Sequence, residues 1–312
     1  LLERQFAQLL ANYVTLAPQG ACINSTGRDM PKYLHWFDWG KRDLHLFDVV
    51  TYTRRTVRLS SYVKVPCFSR SIIVPDGRIF LLGGEDPDHG PKRECFVFNL
   101  PALPADCALH PVAPLPAKKY DFAVCFHLGH IYALCGKGAN AEILDSCERY
   151  SVERDCWTPI APARKRRYAA SAAAAMELDR LYLFGGRSDH NHQMLEEIEE
   201  YNVAADCWKV IVLRNPGVFT PVEVCSAAQI GVGRILVFGG SDAAIQDTAA
   251  SYVFHYAEHR MERVGALRKA HVFVNLPFVQ GGQVFAVGNE YYVKTRSVHR
   301  FSVESGEWDL LF

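Results

Sequence analysis

Four side chains of the metal-ligand type lie close together near the middle of the chain: Cys125, His127, His130 and Cys135. A zinc ion needs its ligand atoms to converge at about 2.0–2.3 Å on one point. His127 and His130 flank a predicted turn, so the four side chains run along two strands of one sheet and converge poorly. We therefore predict no metal at these residues and no cofactor.

Asp189, His190 and His192 form a second cluster of such residues, directly after the pair Gly185 and Gly186. A glycine pair is typical of a turn, so this cluster belongs to a loop. Loops are polar because they meet water, and they also carry many binding residues. A solvated loop and a contact with a protein partner are the two interpretations, and neither requires a metal.

The densest positive charge lies at residues 164–168, where three arginines and a lysine precede Tyr168. Lys plus Arg nevertheless equals Asp plus Glu, at 34 each. A balanced chain has no overall field that would draw it to nucleic acid or to an anionic membrane. We predict neither partner, and we assign the cluster to a protein contact or to a solvated turn.

One segment of the sequence recurs five times and predicts the elements that position these residues. Each copy is a turn residue, a short β-branched and aromatic run, and a terminal glycine or its substitute, which is typical of a buried strand between turns. The copies end 49 to 54 residues apart, at residues 77–84, 129–136, 179–186, 233–240 and 282–289. A period of this length indicates a repeat architecture.

Two aromatic landmarks follow each copy and extend the repeat. The first is an aromatic residue 12 to 15 positions later, at Phe98, Tyr150, Tyr201, Phe254 and Phe301. The second, seven positions further on, is a tryptophan in three copies, Trp157, Trp208 and Trp308. This pattern predicts four-stranded antiparallel blades that stack radially into a ring, with these tryptophans buried between strands and blades. Residues 169–175, although rich in alanine, are predicted to form an inner strand rather than a helix.

The glycine pairs and the Tyr–Trp pairs of the third and fourth blades resemble the kelch repeat, and the resemblance covers about residues 40–312. It implies an all-β fold, a six-bladed β-propeller. We place the domain at 21–312 and the blades at about 21–63, 64–117, 118–163, 164–215, 216–269 and 270–312. The first blade is degenerate, and its inner strand is expected near residues 21–24 or is missing.

Residues 1–20 are predicted to form a short N-terminal helix. Leu2, Phe6, Leu9 and Tyr13 follow a heptad spacing, which fits either the end of a coiled coil or a single helix packed on the propeller. The chain does not begin with Met, and we expect a longer protein in which a segment upstream of Leu1 provides tethering or oligomerisation.

The resemblance implies a non-catalytic protein-interaction module or scaffold. The alternatives are a substrate receptor of a ubiquitin ligase, in which a BTB domain usually precedes the propeller, and an enzyme similar to galactose oxidase. The sequence lacks G-x-S-x-G, phosphate-loop and H-E-x-x-H motifs. Its ten cysteines form no C-x-x-C pair, so reduced thiols and a cytoplasmic location are expected, in a cytoskeletal or ciliary assembly as the narrower version.

The links between blades and the loops after the glycines are expected to emerge at one end of the ring. Basic and aromatic residues recur in these links. We predict that they grip an acidic segment of a partner protein, with arginine suited to bidentate capture of carboxylates. The predicted contact residues are Lys118, Lys119, Tyr120, Arg164, Arg166, Arg167, Tyr168, Arg268 and Lys269, together with Asp189, His190 and His192.

Overall fold

A computed structural model describes residues 32–188, 193–273, 275–290 and 293–311. These residues form six antiparallel sheets, five of four strands and one of three, which surround a central channel as blades 1 to 6. The predicted six-bladed, all-β propeller is confirmed. The predicted N-terminal helix and the expected inner strand near residues 21–24 lie outside the described residues.

The strands follow one another along the chain within every blade, from the channel outwards. Blade 1 comprises Tyr33–Phe37, Asp43–Asp48 and Thr53–Arg58, and blade 2 comprises Arg70–Ile73, Arg78–Leu82, Cys95–Asn99 and His110–Val112. Blade 3 comprises Ala123–His127, His130–Leu134, Cys147–Ser151 and Cys156–Ile160, and blade 4 comprises Ser171–Ala175, Arg180–Phe184, Ile198–Asn202 and Cys207–Ile211. Blade 5 comprises Ser226–Gly231, Arg234–Phe238, Ser251–His255 and Arg260–Arg263, and blade 6 comprises Phe278–Gln280, Gln283–Glu290, Val293–Ser302 and Trp308–Leu310.

Short elements complete the described chain. Blade 2 carries a small hairpin, Glu85–Asp86 with Gly90–Pro91, and two single 3₁₀ turns lie at Leu100–Ala102 and Met176–Leu178. None of the helical turns in this part of the chain has the length and apolar character that crossing a bilayer requires. The alanine-rich segment is the inner strand of blade 4, as predicted, because small side chains fit the crowded wall of the channel.

The hydrophobic core lies between neighbouring blades. The aromatic landmarks of blades 3, 4 and 5 pack on aromatic rings in the preceding blade: Tyr150 on Phe80 with centroids 5.6 Å apart, Tyr201 on Tyr132 at 6.3 Å, and Phe254 on Tyr182 at 5.4 Å. Such ring pairs stabilise the contact beyond the area that they bury. The sequence landmarks are therefore the residues that hold one blade to the next.

The tryptophan landmarks differ in burial. Trp308 and Trp208 are buried, as predicted, but Trp157 is only partly buried, so its prediction was wrong in degree. The outer strand of blade 3 lies at the rim of the propeller. There the Trp157 indole packs towards the preceding blade, and its Nε1 donates to Ala113 O at 2.9 Å. The Trp208 indole makes the equivalent bond to Ala161 O at 2.8 Å.

The end of the second strand meets the next link closely, and in blade 4 this approach requires glycine. Gly185 has φ +62°, and a Cβ built on it would lie 2.1 Å from Val222 O, so no other residue fits without a shift of the backbone. Blade 3 has Cys135 at the first position of its pair, and that residue adopts the same left-handed conformation, with φ 59°. The close approach fixes the distance between each blade and the following link.

The ring closes through side chains of blades 1 and 6. Leu34, Trp36 and Phe47 of blade 1 form one buried cluster with residues of blade 6. Arg296 of blade 6 pairs with Asp38 at 2.9 Å, and its guanidinium also lies over the Trp36 ring. In the described part of the chain, blade 1 has three strands, and Tyr33–Phe37 corresponds to the second strand of the other blades.

Candidate partner-binding face

The links and the loops after the glycines meet at one end of the ring, which we call the link face. In blades 2 to 6 a residue of the link forms an isolated β-bridge with the residue that follows the glycine end of the second strand. The bridges join Cys67 to Glu85, Tyr120 to Lys137, Tyr168 to Arg187, Glu223 to Ser241 and Val272 to Asn289. The two sets of segments therefore form one continuous surface around the channel mouth.

A series of backbone hydrogen bonds, which we call the backbone ring, runs from blade 2 to blade 6 around the channel mouth on this face. The amide of each link residue donates to the carbonyl of the equivalent residue in the preceding blade: Asp121 to Phe68 at 3.1 Å, Ala169 to Asp121 at 3.0 Å, and Val224 to Ala169 at 2.8 Å. Phe273 continues the ring by donating to Val224 at 2.8 Å. This backbone ring fixes the first residues of five inner strands, so it positions whatever side chains follow.

A small cavity of about 20 Å³ lies at the channel mouth. Polar side chains from four blades line it, each two residues beyond the backbone ring: Arg70, Ser171, Ser226 and Asn275. Ser226 Oγ and Asn275 Nδ2 are buried and have no hydrogen-bond partner among the described residues. A buried polar atom without a partner is costly, which favours a bound group that accepts hydrogen bonds.

Arg70 is the charged member of this cavity. Its Nε donates to Phe122 O at 2.7 Å and its Nη2 to Asp121 Oδ1 at 2.9 Å. Burial raises the pKa of the Asp121 carboxyl, although the neighbouring Arg70 opposes that shift. Burial likewise lowers the pKa of the Arg70 guanidinium, with Asp121 opposing the shift. The pair places a fixed guanidinium beside the unpartnered hydroxyl and amide.

Five of the predicted contact residues are exposed on the links: Lys118, Arg164, Arg166, Arg268 and Lys269. Two of them make surface ion pairs, Arg166 with Asp145 at 3.4 Å and Arg268 with Glu307 at 4.0 Å. Exposed pairs of this kind contribute little to stability. The side chains of Lys118, Arg164 and Arg166 therefore expose positive charge to a partner.

Lys119 and Arg167 do not fit the predicted contact set, because both are buried in ion pairs. Lys119 Nζ lies 2.6 Å from Glu148 Oε2, and Arg167 Nη2 lies 2.5 Å from Glu199 Oε1. A buried charge must be paired, so these two cations are fixed inside the blades and are not presented to a partner. The two glutamates were missed, although both stand two residues before a tyrosine landmark.

The aromatic contact residues are partly accessible at most. Tyr120 and Tyr168 are each 8% exposed, and the Lys137 ammonium lies over the Tyr168 ring at 3.7 Å. Asp189, His190 and His192 lie outside the described residues. The structure therefore exposes the cations of the links and buries most of each tyrosine.

The candidate zinc ligands do not converge. His127 is fully buried, with Nε2 at 2.8 Å from Asp179 Oδ1, whereas His130 Nδ1 contacts Leu128 O. Cys125 lies on the first strand of blade 3 and Cys135 directly after the second. Burial raises the pKa of the Cys125 thiol, and a hydrogen bond with Cys147, together with burial, raises that of Cys135. Elsewhere among the described residues, the one group whose potential ligand atoms lie within 4.8 Å of one another comprises Asp86, Asp88 and His89, which hydrogen bonds within that loop explain.

Comparison with known proteins supports the repeat assignment. Residues 118–164 match the family model of the Kelch motif. The chain is 29% identical to an F-box/kelch-repeat protein of Arabidopsis thaliana over 157 residues, which are 48% of this chain and 40% of that protein. It is 26% identical to Kelch-like protein 38 of Mus musculus over 198 residues, which are 62% of this chain and 32% of that protein.

These relatives are longer proteins, of which the matched region spans about a third to two fifths. The matched motif coincides with blade 3 and the links on both sides of it, where the glycine, tyrosine and tryptophan landmarks have their expected places. Six blades built on these landmarks, together with the similarities, identify the chain as a kelch-repeat β-propeller.

Proposed function

We propose that this propeller is a non-catalytic module that binds an acidic segment of another protein at the link face. The kelch relatives support a protein-interaction module as the general class. The observation that carries the finer proposal is the cavity at the channel mouth, where Ser226 Oγ and Asn275 Nδ2 are buried without partners beside the Arg70 guanidinium. Carboxylate oxygens accept hydrogen bonds from all three kinds of donor.

The exposed cations of the links extend this recognition beyond the cavity. Arg164 and Arg166 stand in one link and Arg268 and Lys269 in another, so a bound segment would meet positive charge on two sides. Charges on the rim of an interface mainly accelerate association and suppress wrong partners, whereas buried contacts determine how long a complex lasts. We propose that the cavity holds the bound segment in place and that the cations of the links accelerate its association.

The test uses an array of random peptides, each made in an acidic form and in a form with Asn and Gln in place of Asp and Glu. We expect the propeller to retain the acidic forms selectively. The double variant Arg164→Glu/Arg166→Glu should weaken that binding by about tenfold or more, which corresponds to about 1.4 kcal/mol, with an unchanged melting curve.

The matched control is Arg154→Glu/Arg234→Glu, which makes the same change of charge at two exposed positions at the opposite end of the ring, one in a turn and one at the start of a strand. It should leave peptide binding unaltered. Equal retention of acidic and amide peptides, or loss of binding only in the control variant, would contradict the proposed face.

A substrate receptor of a ubiquitin ligase is the second candidate. It is favoured by the F-box named in the Arabidopsis thaliana relative, which pairs kelch repeats with a second module. The two functions are compatible, because a receptor would use the same link face to hold its substrate. Co-purification of the full-length protein with ligase subunits would identify this version, and a structural assembly without them would favour a scaffold.

We further propose a cytoplasmic location, with a cytoskeletal or ciliary assembly as the narrower version and with tethering through a segment upstream of Leu1. Support comes from the cysteines, since nine of them are free thiols in the described chain and two, Cys156 and Cys207, are exposed. Exposed free thiols suit a reducing compartment. Imaging of the tagged full-length protein, with and without the segment upstream of Leu1, tests both statements.

A further inference from the structure

An aromatic row crosses the link face from blade 1 to blade 3. The ring centroids of Trp39 and Phe68 are 5.0 Å apart, and those of Phe68 and Tyr120 are 6.4 Å apart. Phe68 is 40% exposed, and Tyr62, in the same link, is 97% exposed. Tyr52, Tyr62 and Phe68 are the three exposed aromatic residues of the described chain, and two of them, Tyr62 and Phe68, lie in this link.

A carboxylate lies beside this row. Glu85 follows the glycine pair of blade 2, and its backbone exchanges two hydrogen bonds, of 2.7 and 2.8 Å, with Cys67, the residue before Phe68. Its negative charge helps to raise the pKa of the Tyr120 phenol, for which burial is the larger cause. Glu85 is half-buried, and its carboxylate has no ion-pair partner among the described residues.

Two other blades, 3 and 4, carry a cation at this position of the repeat, whereas blades 5 and 6 have Ser241 and Asn289 there. In blade 3 the residue after the glycines is Lys137, whose ammonium lies 3.7 Å from the centre of the Tyr168 ring in the next link. In blade 4 it is Arg187, which pairs with Glu223 of the next link at 2.6 Å. Both blades therefore place a cation between the loop and the following link.

Blade 2 has the aromatic and acidic half of this arrangement. Lys137 of blade 3 reaches one end of the row, 5.9 Å from the centre of the Tyr120 ring, but no cation of the described residues lies over Trp39 or Phe68. We propose that Trp39, Phe68 and Glu85 form a site for a cationic side chain, lysine or arginine, of a protein partner. A cation over aromatic faces is attracted by their quadrupole, and a neighbouring carboxylate adds to that attraction. The inference rests on the proposed function only in taking a protein as the partner that supplies the side chain.

The site gives the link face two opposite chemistries. The cavity at the channel mouth offers donors to an acidic group, whereas the aromatic row offers a carboxylate and ring faces to a basic group. A segment that carries both kinds of residue would be bound in one direction only, since reversing it would place like charges together.

The experiment follows the indole N–H signals of the protein by NMR during titration with Nα-acetyl-lysine methylamide. Five tryptophans give five such signals, and the variant Trp39→Phe assigns the one of interest. The neutral analogue Nα-acetyl-norleucine methylamide is the matched probe, because it has a similar chain without the charge. We expect the lysine probe, but not the norleucine probe, to shift the Trp39 signal with saturation.

Three variants locate the site. Phe68→Ala should abolish the shift, and Glu85→Gln should weaken binding by about fivefold to tenfold, since it removes the charge and keeps the shape. Glu85→Lys should abolish binding by supplying the internal cation that blade 3 has at Lys137. Asp88→Asn, which neutralises an exposed carboxylate in the same hairpin loop, is the control and should have no effect.

Equal shifts with both probes would show an apolar patch, and a shift unaffected by Glu85→Gln would remove the carboxylate from the site; either result overturns the inference. Acidic-peptide binding is measured on the same variants. Its failure with intact lysine binding would contradict the proposed function alone, and lost lysine binding with intact peptide binding would contradict the cation site alone.

Discussion

Blades 3 and 4 and blade 6 place different residues at the same internal position of the repeat. In blades 3 and 4 a cation from the link meets a glutamate of the third strand, as Lys119–Glu148 and Arg167–Glu199. In blade 6 the equivalent residues are His271 and His299, whose rings lie 5.0 Å apart. This comparison shows that the fold requires the space at this position to be filled and does not require a charge there.

Blade 5 agrees with that interpretation, because Val222 and Tyr252 occupy the equivalent places and both belong to the buried core. The charged pairs nonetheless add orientation. Glu199 also accepts hydrogen bonds from the backbone amides of Arg164 and Lys165, at 2.6 and 3.1 Å. The buried pair of blade 4 thus holds the link that carries the exposed arginines of the link face.

Removal of one member of a buried pair should produce the largest effect. Arg167→Ala leaves the Glu199 carboxylate buried without its cation, and we expect a loss of about 3–5 kcal/mol in the free energy of unfolding. Denaturant unfolding measures it. Arg166→Ala, in the same link but with a side chain 69% exposed, is the control and should change stability by less than about 0.5 kcal/mol.

The double variant Arg167→Val/Glu199→Tyr sharpens the comparison by giving blade 4 the residues of blade 5. It should recover most of the stability lost in Arg167→Ala, because an apolar pair leaves no unpaired charge. A double variant as unstable as the single one would show that the charges themselves are needed in blade 4.

The next largest effect should come from acid, which should lower the free energy of unfolding through the buried histidines of blades 6 and 1. Burial lowers the pKa of His299 to about 3 and that of His35, in blade 1, to about 4. Both residues fold as neutral imidazoles, so stability is full above the unfolded pKa of about 6.5 and falls as the pH drops towards the folded values. At pH 5 each should lower the free energy of unfolding by about 2 kcal/mol.

Unfolding at pH 7.5 and pH 5 measures this loss, with His271→Val/His299→Tyr as the comparison. That variant has the blade 5 residues in blade 6, so its stability should fall less steeply with pH than that of the natural chain. Identical pH profiles would place the acid sensitivity elsewhere in the molecule.

The smallest effect should come from a hydroxyl at the outer rim. Tyr201 OH donates to Asp206 Oδ1 at 2.7 Å, and that same oxygen accepts the amide of Ala161 at 2.8 Å, joining blade 4 to the preceding blade. Tyr201→Phe, which copies Phe254 of blade 5, removes one of these bonds and should cost about 1 kcal/mol in thermal or denaturant unfolding. Tyr150→Phe makes the same change in blade 3 and should match it, and a clear difference between the two would show that the rim bonds are not equivalent.

Much of the fold could be predicted from spacing, because the landmarks that recur are the ones that hold blades together. Tyr150 and Tyr201 each pack on the preceding blade, so their period is the period of the structure. The degenerate first blade was harder to predict, because its contacts with blade 6, such as Arg296 with Asp38, join distant parts of the sequence and follow no repeat.

The candidate site was predictable only in outline. Basic residues in the links marked the face, but a sequence does not show whether a cation points to solvent, as Arg166 does, or to a buried carboxylate, as Arg167 does. The cavity went unrecognised because Arg70, Ser171, Ser226 and Asn275 share a structural position and no common residue type. The position becomes visible only when the backbone ring aligns them.

That backbone ring has a consequence for how such a protein can change over generations. Phe68, Asp121, Ala169 and Val224 occupy equivalent places with nearly the same left-handed φ, between 52° and 54°, although their side chains have nothing in common. Because main-chain atoms alone make the bonds, mutation at these places can alter the rim of the channel while the hub keeps its shape. Lineages that inherit this hub are therefore free to diversify their specificity one blade at a time.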